Sequence, residues 1–286
     1  MRRRNPLKVA IVLAIVLVLV TVAVVLLVGY RYTSDEGVKF MGKSENGQPM
    51  SGTINYPDGS SATLDYLNRT IRYDNGDVYV GEIKGIERNG TGRMSFAATG
   101  DVYEGSFLND KMTGTCVMYY ANGDKYEGAI MDGKKHGRGV MRFANGNVYE
   151  GNYENDTMNG TGTFTWSSGA TYTGSFENDM KSGKGTMTFA SGDVYTGDFL
   201  LDMRNGNGHY QWSNGSYYVG AFRNNLMDTR IVDANGKFAV NEDGTYQHGA
   251  VAYYTVVSED GNKTYVGYFE AGKIAAVYNE NEQEGA

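Results

Sequence analysis

The sequence predicts an all-β protein, an elongated β-hairpin repeat solenoid made of a twisted antiparallel sheet, preceded by one transmembrane α-helix. Two observations support this prediction. Seven copies of a Gly-x-x-Tyr-x-Gly pattern recur between residues 76 and 230, and a long apolar segment begins at Val9. The copies follow one another every 23 residues after a first step of 24. Such a fixed period indicates stacked copies of one supersecondary unit, each of which buries its apolar face against its neighbours.

The N-terminal segment divides into a basic tail at residues 1–8 and a predicted signal-anchor helix at residues 9–30. From Val9 to Val28 only Thr21 is polar. Twenty residues of helix span about 30 Å, the thickness of the hydrocarbon core of a bilayer. A cleaved signal peptide is the alternative, but its apolar stretch is shorter and ends in a small-x-small site, which this segment lacks.

The distribution of basic residues predicts how the protein lies in the membrane. Arg2, Arg3, Arg4 and Lys8 precede the apolar segment, whereas the basic residues after it are mixed with acidic ones. The positive-inside rule therefore predicts a single-pass membrane protein with a cytoplasmic N-terminus and an extracytoplasmic repeat domain. Residues 31–51 are expected to be a linker.

Residues 76–230 form the repeat region, and residues 147–153 and 162–166 show how one repeat is built. Both stretches alternate in polarity, which is typical of strands, and the connection from Asn155 to Gly160 is rich in turn-forming residues. Asn-Gly and Ser-Gly pairs between repeats favour tight hairpin turns. Each repeat is therefore expected to be a β-hairpin that another hairpin joins to the next repeat.

Alternation also assigns the faces of the sheet. Tyr149, Gly151 and Tyr153 share one face with Phe164, while the opposite face carries polar residues such as Glu150. Glycine normally weakens a strand, so its recurrence suggests that a neighbouring ring lies over the bare backbone. The repeat-signature residues, expected to be structural, are Tyr79, Gly81, Tyr103, Gly105, Tyr126, Gly128, Tyr149, Gly151, Tyr172, Gly174, Tyr195, Gly197, Tyr218 and Gly220.

These residues resemble the MORN repeat family, whose units read Tyr-x-Gly-x-(Phe, Tyr or Ile) followed by Gly-x-Gly and an aromatic residue. The resemblance covers residues 76–230, with departures at Cys116 and at Asp228–Ile231. Residues 52–75 look like a degenerate N-terminal capping repeat, and residues 231–286 like a degenerate repeat with a C-terminal cap and tail. The resemblance implies a scaffold, a dimerisation module or a membrane-contact tether.

No motif in the sequence predicts catalysis, a cofactor or a metal site. His136, His209 and His248 occupy unrelated positions and are expected to be surface or loop residues, without zinc-ligand spacing. The aspartates that follow the leading glycines, such as Asp77 and Asp124, lack the spacing of a calcium loop and are expected to cap turns. Neither a nucleophile elbow nor a phosphate-binding loop is present. The chain is expected not to be an enzyme.

Charge narrows the choice of partners. The chain carries 26 basic and 33 acidic residues, a net charge of −7. Such a surface repels nucleic acid and disfavours direct binding of the repeats to anionic lipid. The sequence thus predicts a membrane-anchored, non-catalytic scaffold for an unidentified protein partner or for self-association. The alternative is an extracytoplasmic module that binds a glycan or cell-wall polymer.

Overall fold

The computed structural model describes Ile15 and residues 30–232, 237–259 and 261–278. The predicted anchor helix at residues 9–30 therefore lies outside the described residues, except for Ile15 and Tyr30, and Tyr30 begins a strand. Within the part of the chain that is described, no helix is long and apolar enough to span a membrane. From Tyr30 to Tyr278 the described residues form strands, turns and bridges, and no helix.

The chain divides into two compact units, residues 1–121 and residues 122–286. Each strand of the first unit pairs antiparallel with the next one along the chain. Its strands are β1 (Tyr30–Thr33), β2 (Lys39–Glu45), β3 (Gln48–Asn55), β4 (Ser61–Asp65), β5 (Thr70–Tyr73), β6 (Val78–Lys84), β7 (Glu87–Ser95), β8 (Val102–Leu108) and β9 (Lys111–Tyr119).

The second unit continues the same hairpin pattern. Its strands are β10 (Lys125–Met131), β11 (Lys134–Arg142), β12 (Val148–Glu154), β13 (Thr157–Thr165), β14 (Thr171–Glu177), β15 (Met180–Thr188), β16 (Val194–Leu200), β17 (Met203–Gln211), β18 (Tyr217–Arg223), β19 (Leu226–Met227), β20 (Ala252–Val256), β21 (Lys263–Glu270) and β22 (Lys273–Tyr278). Strands β10 to β18 pair in sequence. β18 then pairs with both β19 and β20, and β20, β21 and β22 follow in order.

The turn within each repeat is shorter than the sequence suggests. Residues 155–160 were expected to be a connection, but only Asn155 and Asp156 form the turn, with φ values of 48° and 75°. Two consecutive positive φ values define the hairpin turn that matches the twist of the strands. The second strand therefore starts at Thr157, and Gly160 (φ 92°) lies within it, at a bulge that shifts the register.

A tyrosine ring covers a pair of glycines in each regular repeat. Gly151 lies opposite Gly162, and a Cβ atom on Gly162 would come within 2.6 Å of the Tyr149 ring. The Tyr149 hydroxyl donates a hydrogen bond to the Asn152 carbonyl, 2.9 Å away. This confirms the predicted role of the glycines, because only a residue without a side chain lets the ring approach the backbone.

A second aromatic row joins one repeat to the next. The Phe176 ring meets the rings of Tyr172, in its own repeat, and Tyr149, in the preceding one, edge to face, with both centroids 5.1 Å away. Phe199 makes the same pair of contacts with Tyr195 and Tyr172. Edge-to-face aromatic pairs of this kind are worth about 0.5–1.5 kcal/mol beyond their burial. The core of the second unit is therefore a continuous ladder of rings from Tyr126 to Phe269. In the first unit, Phe107 joins Tyr79 and Tyr103 in the same way.

Carboxylates at both ends of the hairpins also connect neighbouring repeats. Asp124, which follows a leading glycine, accepts a hydrogen bond from the Ala144 amide in the next repeat, 2.8 Å away. At the other end, Asp179 accepts one from the Met158 amide in the preceding repeat, at 2.7 Å. The predicted turn-capping role of the first aspartate is correct, but the turn that it caps belongs to the neighbouring repeat.

On the N-terminal side of the repeats, the secondary structure differs from the predicted linker. Residues 31–51 were expected to be a linker, yet they contain most of β1, all of β2 and the start of β3. These strands lack the tyrosine signature, but Phe40 and Ile54 still bury an apolar face, with exposed fractions of 1% and 0%. On the C-terminal side, Thr229 accepts a hydrogen bond from the Phe269 amide at 2.9 Å, which fastens β21 to the end of the seventh repeat.

We expect Gly162→Ala to destabilise the repeat region by about 1–3 kcal/mol, because the new methyl group would overpack against the Tyr149 ring. The midpoint of urea unfolding, followed by circular dichroism, measures the effect. Gly249→Ala is the matched control, since its Cβ would lie 3.7 Å from its nearest neighbour, the Thr229 carbonyl oxygen. Equal midpoints for the two variants would contradict the proposed role of the glycine pair.

Candidate functional site

The signature tyrosines lie in the core and are not available to a ligand. The seven ladder tyrosines are all 0% exposed, namely Tyr79, Tyr103, Tyr126, Tyr149, Tyr172, Tyr195 and Tyr218. Burial raises the pKa of Tyr149 and of Tyr172 to about 12, because a phenolate would lose its hydration. Each hydroxyl donates to a backbone carbonyl three residues ahead, as in Tyr172 to Ser175 at 2.9 Å. The ladder is therefore neutral and structural.

The three histidines are far apart in sequence and make different contacts. His136 was expected in a loop but lies in β11, where its Nδ1 is buried without a hydrogen-bond partner. His209 meets the Tyr217 ring edge to face, with centroids 5.5 Å apart. His248 is only 11% exposed, so it is not a surface residue as expected. Its Nδ1 lies 2.9 Å from the Thr229 hydroxyl.

Metal-ligating side chains do not converge in the described part of the chain, where no three His, Cys, Asp or Glu residues form a group able to hold an ion. Cys116 is buried and free, and it stands opposite Gly105, where the other regular repeats have a second glycine. Burial raises the pKa of the Cys116 thiol to about 11. At neutral pH it is therefore a thiol rather than a nucleophilic thiolate.

The polar face of the second unit carries threonines in register across β13 to β16. Thr163 and Thr173 are 3.0 Å apart between their hydroxyl oxygens, and Thr186 and Thr196 are 3.2 Å apart. A shallow cleft of about 710 Å³ on this face is lined by residues that include Arg138, Glu150, Asn152, Thr161, Thr163 and Thr173. Threonine is a common residue on exposed strands, so this composition also follows from the fold alone.

A cleft of about 1020 Å³ lies in the first unit. Its lining includes Lys43, Asp65, Leu67 and Arg72. Leu67 is 80% exposed, and the cleft is bordered by both acidic and basic side chains. The mixture of charges gives this cleft no preference for an anion or a cation.

The aromatic face carries a set of rings that remain partly open to solvent. Each second strand from β3 to β17 ends in, or is directly followed by, an aromatic residue that remains half-buried, unlike the ladder rings beside it. In the first unit these residues are Tyr56, Tyr73, Phe96 and Tyr120, and in the second unit they are Phe143, Trp166, Phe189 and Trp212. We term the second group the aromatic strip. Its members lie two strands apart, about 9–10 Å, because neighbouring strands are 4.7–4.9 Å apart.

Rings from the second strands connect members of the strip. Phe164 lies 6.0 Å from Phe143 and 4.6 Å from Trp166 between ring centroids. Tyr210 joins Phe189 and Trp212 in the same way, at 5.8 Å and 4.9 Å. The strip is thus a row of packed rings that remain partly open to solvent. Alternation in the sequence placed Phe164 on the aromatic face, but alternation alone does not distinguish a buried ring from a half-buried one.

Basic side chains lie over this row. The Lys181 ammonium is 5.6 Å from the centroid of the Trp166 ring, and the Arg204 guanidinium is 5.1 Å from that of Tyr210. In an acidic protein, cations therefore lie next to the half-buried aromatic rings. Aromatic and arginine side chains are enriched in protein–protein interfaces, where they carry much of the binding energy.

Comparison with known proteins identifies the repeat. The MORN repeat family matches this chain over five consecutive segments, residues 103–125, 126–148, 149–171, 172–194 and 195–217. These matches cover most of the predicted repeat region. A search of curated proteins gave no match.

Solved structures show a weak likeness. The G-box domain of the microcephaly protein CPAP is 12% identical, with a TM-score of 0.36 over 70% of this chain and 99% of that chain. The TCP10 domain of Danio rerio CPAP, solved with a peptide of Danio rerio STIL, is 14% identical, with a TM-score of 0.35 over 77% and 99%. The TCP10c domain of Drosophila melanogaster Sas-4 is 15% identical, with a TM-score of 0.28 over 58% and 95%. At such low TM-scores the likeness says nothing about this chain's function.

We expect the ladder tyrosines to ionise late in an alkaline titration. Folding raises the pKa of Tyr149 and of Tyr172 to about 12. The contribution of these two hydroxyl groups to stability is therefore complete below pH about 10 and is lost as the pH rises toward 12. Ultraviolet absorbance of phenolate should show an early group of exposed tyrosines and a late group that titrates with unfolding. Tyr149→Phe should reduce only the late step. Titration of every tyrosine near pH 10 in the folded protein would contradict the buried ladder.

Proposed function

Because residues 103–217 are five consecutive MORN repeats, we propose that this protein is a non-catalytic, membrane-anchored scaffold that binds a protein partner. In this proposal the N-terminal helix holds the chain in the membrane and the repeats present the aromatic strip to the partner. The observation that carries the proposal is the strip itself, a row of half-exposed rings with basic side chains over them.

The strip has the composition that protein interfaces favour. Rigid aromatic side chains bury a large area at a low entropic cost, and a nearby guanidinium adds directional hydrogen bonds. The ladder already holds the repeats together, and the strip rings remain half-buried in the folded chain. A partner segment that covered Trp166, Phe189 and Trp212 would remove this apolar surface from water.

Self-association through the sheet edges is a second route to the same scaffold function. Among the described residues, β1 pairs only with β2, and β22 pairs only with β21. Each of these strands therefore has one edge that lacks a backbone partner there, and such an edge accepts a further strand. Ile274 in β22 is 49% exposed, which adds apolar surface to that edge.

Membrane anchoring rests on the sequence of the N-terminus. The apolar run from Val9 to Val28 is long enough to span a bilayer as a helix. Arg2, Arg3, Arg4 and Lys8 on its N-terminal side favour a cytoplasmic tail and extracytoplasmic repeats. The net charge of −7 favours attachment by this helix over binding of the repeats to anionic lipid.

Binding of a glycan or cell-wall polymer is the second candidate function, and the spacing of the strip favours it. Strip residues recur every two strands, about 9–10 Å. An extended β-1,4-linked polysaccharide presents the same sugar face once per disaccharide, a similar length. Trp166 and Trp212 would then stack on sugars, although their nearest strip neighbours are the less polar Phe143 and Phe189.

We expect a membrane-impermeant maleimide to label Ser168→Cys protein in intact cells, because Ser168 lies in an exposed turn of the repeats. The same reagent should label Asn5→Cys protein only after lysis. Both variants are made in a Cys116→Ser background, although the buried thiol should itself react little. Labelling of Asn5→Cys, but not of Ser168→Cys, in intact cells would reverse the proposed orientation.

We expect a photo-crosslinking amino acid at Phe189 of the full-length protein to give discrete protein adducts in cells. The same amino acid at Thr173, on the polar face, is the matched control and should give none. Mass spectrometry of the adducts identifies the partner. If neither position yields a protein adduct and the chain sediments with envelope polysaccharide, the glycan candidate replaces the scaffold.

A further inference from the structure

In several repeats, the second strand of the hairpin has a basic residue at its second position. In two of these repeats, an aspartate of the next repeat forms an ion pair with the basic residue. Arg88 Nε lies 3.0 Å from an Asp110 carboxylate oxygen, and Lys181 Nζ lies 2.7 Å from one of Asp202. Each aspartate also accepts a hydrogen bond from the backbone amide of the same basic residue, at 2.9 Å. The carboxylate thus holds the strand in place and balances the charge beside it.

Arg204 occupies the same position, but its partner is an amide. Asn225 stands where the other repeats have Asp110 and Asp202, and its Oδ1 accepts a hydrogen bond from the Arg204 backbone amide at 2.9 Å. The Asn225 carbonyl accepts one from Arg204 Nη2 at 2.7 Å. The strand is therefore held as in the other repeats while the charge is not balanced. In the described structure no carboxylate lies within salt-bridge distance of Arg204.

Aromatic rings surround this guanidinium. Its carbon lies 5.1 Å from the centroid of Tyr210, 5.4 Å from that of Phe222 and 5.6 Å from that of Tyr195. Burial lowers the pKa of Arg204, whereas the hydrogen bond to Asp228 raises the pKa of Arg230. A guanidinium stays protonated under any physiological condition, so the half-buried charge of Arg204 persists.

A cavity of about 300 Å³ opens beside this charge. Its lining includes Arg204, Tyr210, Trp212, Asn225, Met227 and Gly272. Asp193, which is linked to this cluster through Tyr210, accepts hydrogen bonds from the Tyr210 hydroxyl at 2.8 Å and from the Ser213 amide at 2.9 Å. The cavity therefore combines one uncompensated cation with apolar and aromatic walls, and it adjoins the end of the aromatic strip at Trp212.

We propose that the Arg204 cavity binds a carboxylate of the protein partner, from an aspartate or glutamate next to an apolar side chain. The guanidinium pairs with the carboxylate through charge-assisted hydrogen bonds, and the apolar neighbour packs on Trp212 and Met227. The net charge of −7 favours a single carboxylate over a multiply charged phosphate. This inference rests on the proposed scaffold function and names the chemistry that its partner must carry.

The test uses the full chain in detergent and two probes, the peptide acetyl-Leu-Glu-Leu-amide and its Gln counterpart, which differ only in charge. Binding is followed by the NMR signals of the Trp212 indole and the Arg204 side chain. We expect the Glu peptide to bind at least about tenfold more tightly, since a hydrogen bond between charged groups is that much stronger than a neutral one. Equal affinities would overturn the proposal.

Asn225→Asp is the decisive variant because it supplies the carboxylate that the other repeats have. It should leave the unfolding midpoint unchanged or raised and weaken binding of the Glu peptide about tenfold or more. Asp202→Asn, one repeat away, is the matched control and should bind as the unchanged protein does. If Asn225→Asp binds normally, Arg204 is not the anchor and the proposal fails.

Three further results separate this inference from the function on which it rests. Tighter binding of a glucuronic acid disaccharide than of the Glu peptide would assign the cavity to an acidic glycan and overturn the proposed peptide ligand. Tighter peptide binding by a chain that ends at Tyr278 would place the chain's own acidic C-terminal residues in the cavity, which would also overturn it. Crosslinking at Phe189 that persists in Asn225→Asp would leave the scaffold function intact while locating the partner elsewhere on the strip.

Discussion

The packing of a tyrosine ring onto a bare pair of glycines is the contact on which each regular repeat depends. It places the Tyr149 hydroxyl 2.9 Å from the Asn152 carbonyl, which fixes the bulged part of the first strand. It also presents the edge of the ring to Phe176 of the next repeat. One contact therefore sets the register within a hairpin and the spacing between hairpins, and the period of the sequence follows from its repetition.

Polar side chains at the turns extend this constraint. Asp124 and Asp179 each use a carboxylate oxygen to satisfy a backbone amide of a neighbouring repeat. Exchange of aspartate for asparagine keeps the hydrogen bond and removes the charge, as Asn225 does for Arg204. The architecture therefore tolerates a local change of charge without a change of backbone. This freedom allows one repeat to differ chemically from the others while the stack remains regular.

Much of the fold could be predicted from the sequence because period and alternation report directly on strands and faces. The hairpins, the positive-φ glycines between repeats and the tyrosine ladder follow from those two signals. The start of β13 at Thr157 was missed because Asn155 and Asp156 adopt positive φ without glycine. Strands β1 and β2 were missed because they bury Phe40 without the tyrosine signature. The aromatic strip could not be predicted, since the exposure of Trp166 depends on packing across repeats that alternation does not encode.

The rings of the aromatic face comprise a core that the fold requires and a half-buried strip that we propose as the binding surface. Comparison of the urea unfolding midpoints of Phe176→Ser and Phe189→Ser tests this division most directly. Phe176 is 5% exposed, so its loss should cost about 3–5 kcal/mol, in the range for removal of a buried phenylalanine side chain. Phe189 is half-buried, and its loss should cost less than half as much while the fold is retained. Equal and large losses would show that the strip belongs to the core and would contradict its assignment as a binding surface.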